Sequence, residues 1–105
     1  MFPELTDVEV DAFIYPTSQS GRTRPVPDGY RCPIFPDPNK REGYDCIFNF
    51  EGLPIQPGEY RRIGLALLVP EISIPILKAV GTFYFWELGL FGEGRLISVK
   101  HASKP

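Results

Sequence analysis

Cysteine and histidine are scarce in this chain: Cys32, Cys46 and the lone His101, which stands among the last five residues. A four-ligand zinc site needs more donors than this, so no metal and no cofactor are expected. The serines and threonines have no histidine partner within an ordered region, and no cysteine-histidine pair can be drawn. Nucleophilic catalysis therefore lacks its parts, and the chain reads as non-enzymatic. Long apolar runs are missing too. No stretch approaches 18 uninterrupted apolar residues, and the start MFPELTDVEVD has neither the basic nor the apolar region of a signal peptide. The reading is a cytoplasmic protein with no membrane role. Charge of one sign is also lacking: 11 Lys plus Arg stand against 13 Asp plus Glu, a net charge of −2. A surface that is basic throughout is excluded, and any nucleic-acid contact must be a local patch.

What is abundant is proline and glycine, 12 and 10 of 105 residues. Each interrupts a helix, and their spacing leaves windows of strand length, with no place for a long helix. Residues 7–15, DVEVDAFIY, alternate with a period of two and set Val8, Val10, Ala12 and Ile14 on one face. The stretch after Pro16, TSQSGRTRPVPDG, is turn chemistry. Strands are expected over 30–35 and 44–50, joined by a long turn, PDPNKREG. That hairpin would set Cys32 and Cys46 opposite each other. A cross-strand disulfide is then geometrically open, whereas a cytoplasmic setting favours two half-buried reduced thiols. Residues 59–69 read as a strand because Gly64 lies inside the run and Pro70 follows it. EISIPILK, 71–78, reads as an edge strand or irregular crossover on account of Pro75. AVGTFYFWE, 79–87, is rich in aromatic and β-branched residues and reads as a strand. Residues 88–94 read as a glycine turn, 95–100 as the last strand and 101–105 as a polar tail. The sum is one all-β domain, a barrel or sandwich of about six short strands with its core between about residues 7 and 100.

Three phrases stand in order along the chain: GRTRPVPDGYRCPIF, QPGEYRRIGLALLVP and FYFWELGLFGEGRLISV. Together they resemble the third, C-terminal β-barrel domain of elongation factor Tu. That domain's motifs run G-R-x-x-P-x-x-x-G-Y-R, then P-G-D/E before an alternating strand ending in Pro, then F-x-x-x-E-G-G-R-x-x-G-x-G-x-V. The match extends from about residue 7 to residue 99. The resemblance implies a six-stranded antiparallel Greek-key β-barrel standing alone, with tRNA-like RNA or a partner protein as its ligand. GTP binding is not expected, since no G-x-x-x-x-G-K-S/T loop is present. Carried over by position, the basic residue after the Pro-Gly turn is Arg62 and the glutamate of the last phrase is Glu87. The chain departs from the family where Leu88 replaces a glycine, where Gly89-Leu90-Phe91 replaces Gly-Arg, at Pro33 in place of Gln, and in a longer stretch over 70–81.

The candidate contact residues fall in two places. Arg22, Arg24 and Arg31 crowd the first turn, where guanidinium forks suit phosphate or carboxylate oxygens; a solvated structural loop is the alternative. Arg61 and Arg62 are adjacent and so point to opposite faces, one of them facing a carboxylate across the ladder. In the run Phe83 to Trp86, Phe83 and Phe85 share one face with Glu87, and Tyr84 and Trp86 share the other with Leu88; one face is core, and the other is either an exposed apolar patch or packed beneath a neighbouring loop. The phrase ELGLFG sets Glu87 beside Leu88, Leu90 and Phe91, three large apolar side chains in an expected turn, and that reads as an interface. Glu9 and Asp11 share a strand face at about 7 Å, but exposed strand carboxylates ordinarily serve solubility. Gly92 and Gly94 lack a following helix to cradle a phosphate. The expectation is a binding module engaging a protein partner through residues 21–31 and 87–95. RNA binding, or an inhibitor or immunity-type role, is the alternative.

Overall fold

The computed structural model describes residues 6–20, 22–39 and 42–100. The expected tail at 101–105, with His101, lies outside the described residues. Six strands run in chain order: β1 (Val8–Ile14), β2 (Arg31–Phe35), β3 (Tyr44–Asn49), β4 (Tyr60–Leu67), β5 (Thr82–Trp86) and β6 (Leu90–Val99). A single helical turn, α1 (Thr17–Ser20), follows β1, and a longer helix, α2 (Pro70–Val80), joins β4 to β5. No helix among the described residues is long and apolar enough to cross a membrane.

The period-two pattern predicted for β1 becomes the inner wall. Val8, Val10, Ala12 and Ile14 are all fully buried while the residues between them are only partly so. The strands close into an antiparallel barrel in the order β1-β4-β3-β2-β5-β6, so β2, β3 and β4 form a meander and β1 returns beside β4 in Greek-key fashion. Closure leaves no sheet edge to pair with other chains. The seams are unequal. β1 holds β4 from Val8 opposite Leu65 to Phe13 opposite Tyr60, and holds β6 along its whole length, whereas β2 meets β5 only at Ile34–Phe85 and Phe35–Tyr84.

Phe48, Phe83, Phe85 and Phe91 fill the interior with the aliphatic residues of β1 and β4. Two loop residues join them: Val26 and Ile55 are fully buried and exchange both backbone hydrogen bonds at 2.8 Å, which clasps the first connector to the 51–58 loop. Cys32 and Cys46 stand directly opposite on β2 and β3 as free, buried thiols, not half-buried ones. Burial, reinforced by the neighbouring Cys32, pushes the Cys46 thiol well above its ordinary range, so it stays protonated at neutral pH.

Two segments depart from the sequence reading. Residues 71–78 are helical, inside an α2 of 11 residues that also takes Ala79 and Val80, so the strand expected over 79–87 is confined to Thr82–Trp86. Pro70 occupies the first turn, where a missing N–H costs nothing. Glu71 and Lys78 stand at the ends that the helix dipole favours, and Gly81, at φ +77°, closes the helix by donating to the Leu77 carbonyl at 2.8 Å. Pro75 forfeits only the bond to the carbonyl of Glu71, an exposed residue. The second departure is the expected turn over 88–94. β6 begins at Leu90, so the turn is only Glu87–Gly89. Gly92 and Gly94 are strand residues chosen for space. A Cβ on Gly92 would lie 2.7 Å from the Phe13 carbonyl oxygen, and one on Gly94 would lie 2.6 Å from the Phe83 ring.

Candidate functional site

The first connector and the β5–β6 hairpin tip, some sixty residues apart in sequence, meet in space. Between them lies a cleft of about 360 Å³ whose walls include Arg22 and Arg24 on one side and Glu87, Leu88, Leu90 and Phe91 on the other. Six of the nine residues singled out from sequence therefore share one surface.

Within it the residues divide by role. The Arg22 guanidinium lies between two rings, 4.9 Å from the centre of Tyr30 and 4.8 Å from that of Phe91. Its Nε donates to the Arg24 carbonyl at 2.9 Å and its Nη1 to the Tyr30 hydroxyl at 3.1 Å. The Arg22 backbone is held as well: its N–H donates to Ser20 Oγ and its carbonyl accepts from Thr17 Oγ1. These two bonds tie α1 to the connector. Tyr30 in turn has its hydroxyl pKa raised, because burial outweighs the nearby cation. Arg22 is thus the pin that holds the connector on the barrel, with at most part of its fork facing the cleft. Arg24 is different. It is exposed, and its guanidinium has no partner among the described residues.

Phe91 is not an exposed turn residue. It is 2% exposed, with its ring against Phe85 and Tyr30, because it is the extra residue of a bulge between Leu90, opposite Trp86, and Gly92, opposite Phe85, and the bulge turns it inward. Leu90 is half-buried. Leu88 is the opposite case: its side chain is 100% exposed, and its φ of +58° is the only positive value found at a described non-glycine residue. A leucine in the left-handed region is held at a cost of about 1–2 kcal/mol, and strain of this kind concentrates at functional sites. Gly89, at φ +133°, takes the still less accessible conformation beside it, and its carbonyl accepts from the Glu87 N–H at 2.8 Å.

The remaining sequence candidates lie elsewhere. Trp86 sits against the Phe35 ring, centroids 5.7 Å apart, and does not line the cleft. Arg31 makes a two-pronged contact with Asp45 across the β2–β3 ladder. Arg62 grips Asp11 of β1 at 2.8 Å, the cross-ladder carboxylate expected for one of the two adjacent arginines, and Arg95 reaches the same carboxylate at 3.4 Å. The hydrogen bond and charge of Arg62 hold the Asp11 carboxyl below its ordinary range. Arg61, on the other side, pairs with Glu59 and stacks on Phe50. Glu9 accepts a hydrogen bond from Ser98. Asp11 and Glu9 are therefore both engaged on the barrel's outer ladder; Glu9 also borders a cleft of about 180 Å³ with Asn49 and Lys100, which Asp11 does not line.

One surface was not visible in the sequence reading. The edge strand or irregular crossover expected over 71–78 offers no helix face; the i, i+4 spacing of Ile72 and Ile76 is the signal for the outward face of α2. No protein-family model matches the chain, and no curated protein matches it significantly.

Proposed function

We propose that this chain is a non-enzymatic binding module, a cytoplasmic β-barrel of the elongation factor Tu third-domain type, that engages a protein partner at the Arg24–Leu88 cleft. The observation that carries the reading is the convergence of a strained, fully exposed leucine with an unpaired guanidinium on one concave surface. An exposed apolar tip on unfavourable backbone offers a contact surface, and the free cation across the cleft from it, with Glu87 on the same wall as the tip, suits a carboxylate placed on the arginine side. The segment recognised is one that presents an acidic group next to an apolar side chain. Kinship with the elongation-factor barrel is supported by the ordered phrases and by the closed six-stranded topology into which they fold. The neighbouring free thiols fit a reducing compartment.

RNA is the weaker reading. Phosphate binding draws its strength from several free cations, and of Arg22, Arg24, Arg31 and Arg62 only Arg24 lacks a partner among the described residues. The test is affinity capture from a native lysate of the source cells, half of it nuclease-treated, with Arg24→Glu and Leu88→Asp proteins as parallel baits. A nuclease-resistant protein band lost with both variants is expected. Recovery that disappears with nuclease, or a band that Leu88→Asp retains with its fold intact, would overturn the reading.

A further inference from the structure

Helix α2 carries apolar side chains on the side turned away from the barrel. Ser73 and Leu77 are its buried residues, while Ile72 is 54% and Val80 44% exposed, and Leu68, just before the helix, is 60% exposed. At 100° per residue, Ile72, Ile76 and Ala79 line one outward stripe, with Pro75 beside it. A globular helix normally turns such a stripe inward. The stripe runs on into a groove of about 580 Å³, where Ile76 and Val80 face Tyr44, Tyr84 and Pro36 and where Asp37 and Glu42 also line the wall, so the helix's apolar side continues into a mixed surface.

The two charges of the helix indicate what covers it. Glu71 and Lys78 are seven residues apart, which places both on the same edge of the stripe, about 10 Å apart along the axis. Neither has an ion-pair partner among the described residues. When two helices face each other antiparallel, each edge meets the same edge of the other helix. Glu71 of one copy then stands beside Lys78 of the next, and the two-fold axis repeats the pair. A surface that is apolar along its centre and self-complementary in charge along one edge is what an isologous contact requires.

We infer that α2 is a homodimer interface: two copies of the chain associate through antiparallel α2 helices, with the Ile72–Ile76–Ala79 stripes in contact and two Glu71–Lys78 pairs flanking them. This surface is separate from the Arg24–Leu88 cleft and does not depend on it.

Sedimentation equilibrium over a wide concentration range tests the inference. The expected result is a rise in weight-average mass from the 11.9 kDa of the chain toward twice that value, abolished by Ile72→Glu. Glu71→Lys alone, and Lys78→Glu alone, should each weaken association about tenfold at low salt, because each replaces two attractions with two repulsions. The double variant Glu71→Lys with Lys78→Glu should restore it. The exchange returns both pairs with signs reversed, so recovery separates a specific contact from damage to the fold. A chain that stays monomeric throughout, a dimer indifferent to Ile72→Glu, or a double variant no tighter than the singles would overturn the inference.

Discussion

The tip and the legs of the β5–β6 hairpin are built from the same kinds of residue and do opposite things. In the phrase ELGLFG, Leu88 is fully exposed on left-handed backbone, while Phe91, three residues on, is buried beneath Arg22 and against Phe85. Hydrophobicity does not distinguish them. The bulge in the β5–β6 ladder does: Leu90 stands opposite Trp86 and Gly92 opposite Phe85, so Phe91 is the extra residue between them and is turned inward, while Leu88 lies beyond the ladder. An apolar residue in a turn is thus an interface residue only if the turn is as long as it looks, and here glycines that read as turn-makers are strand residues that clear space for rings.

The contrast can be broken most forcefully from the leg. Phe91→Ala should lower stability by about 3–5 kcal/mol, since it leaves a cavity and removes one of the two rings that hold Arg22; urea denaturation reads the loss. Arg22→Ala should cost about 1–3 kcal/mol through its ring contacts and hydrogen bonds, whereas Arg24→Ala should stay within about 0.5 kcal/mol of wild type. Equal effects at the two arginines would mean that the pin and the free cation are not distinct. Gly94→Ala, whose new methyl would press on Phe83, should cost a similar 1–3 kcal/mol, about that of an overpacked core.

At the tip the sign reverses. Leu88→Gly should raise stability by about 1 kcal/mol by relieving the positive φ, and should abolish capture of the partner. A variant both more stable and still competent to bind would remove Leu88 from the site. The smallest effect belongs to the outer face, away from the hairpin tip. The carboxyls of Asp11 and Glu59 are held below their ordinary values of 3.8 and 4.5, the first mainly by Arg62 and the second by the Gln56 N–H and Arg61. A depressed folded-state pKa contributes stability that is fully present above the unfolded value and is lost as pH falls through the folded one. Melting temperature should therefore be flat near neutrality and fall below about pH 4.5, with Asp11→Asn flattening part of that decline.

The local pattern of residues was enough to read the six strands, the inward set of β1 and the placing of Cys32 opposite Cys46. Each follows from a period of two or from neighbours joined by a hairpin, and such relations are written in adjacent residues. The sequence also marked both walls of the cleft, though as separate regions. That they form one surface was decided by the closed barrel, which sets the β1–β2 connector against the β5–β6 tip; the clasp of Val26 on Ile55 and the seat of Arg22 between Tyr30 and Phe91 hold it there. Tertiary structure also decided α2 and the ends of β6. Pro75 and the glycines disfavour helix and extended strand when judged one residue at a time. A proline whose lost hydrogen bond falls at an exposed residue costs the helix little, and a glycine is demanded wherever a ring or a neighbouring backbone occupies the place of its missing side chain.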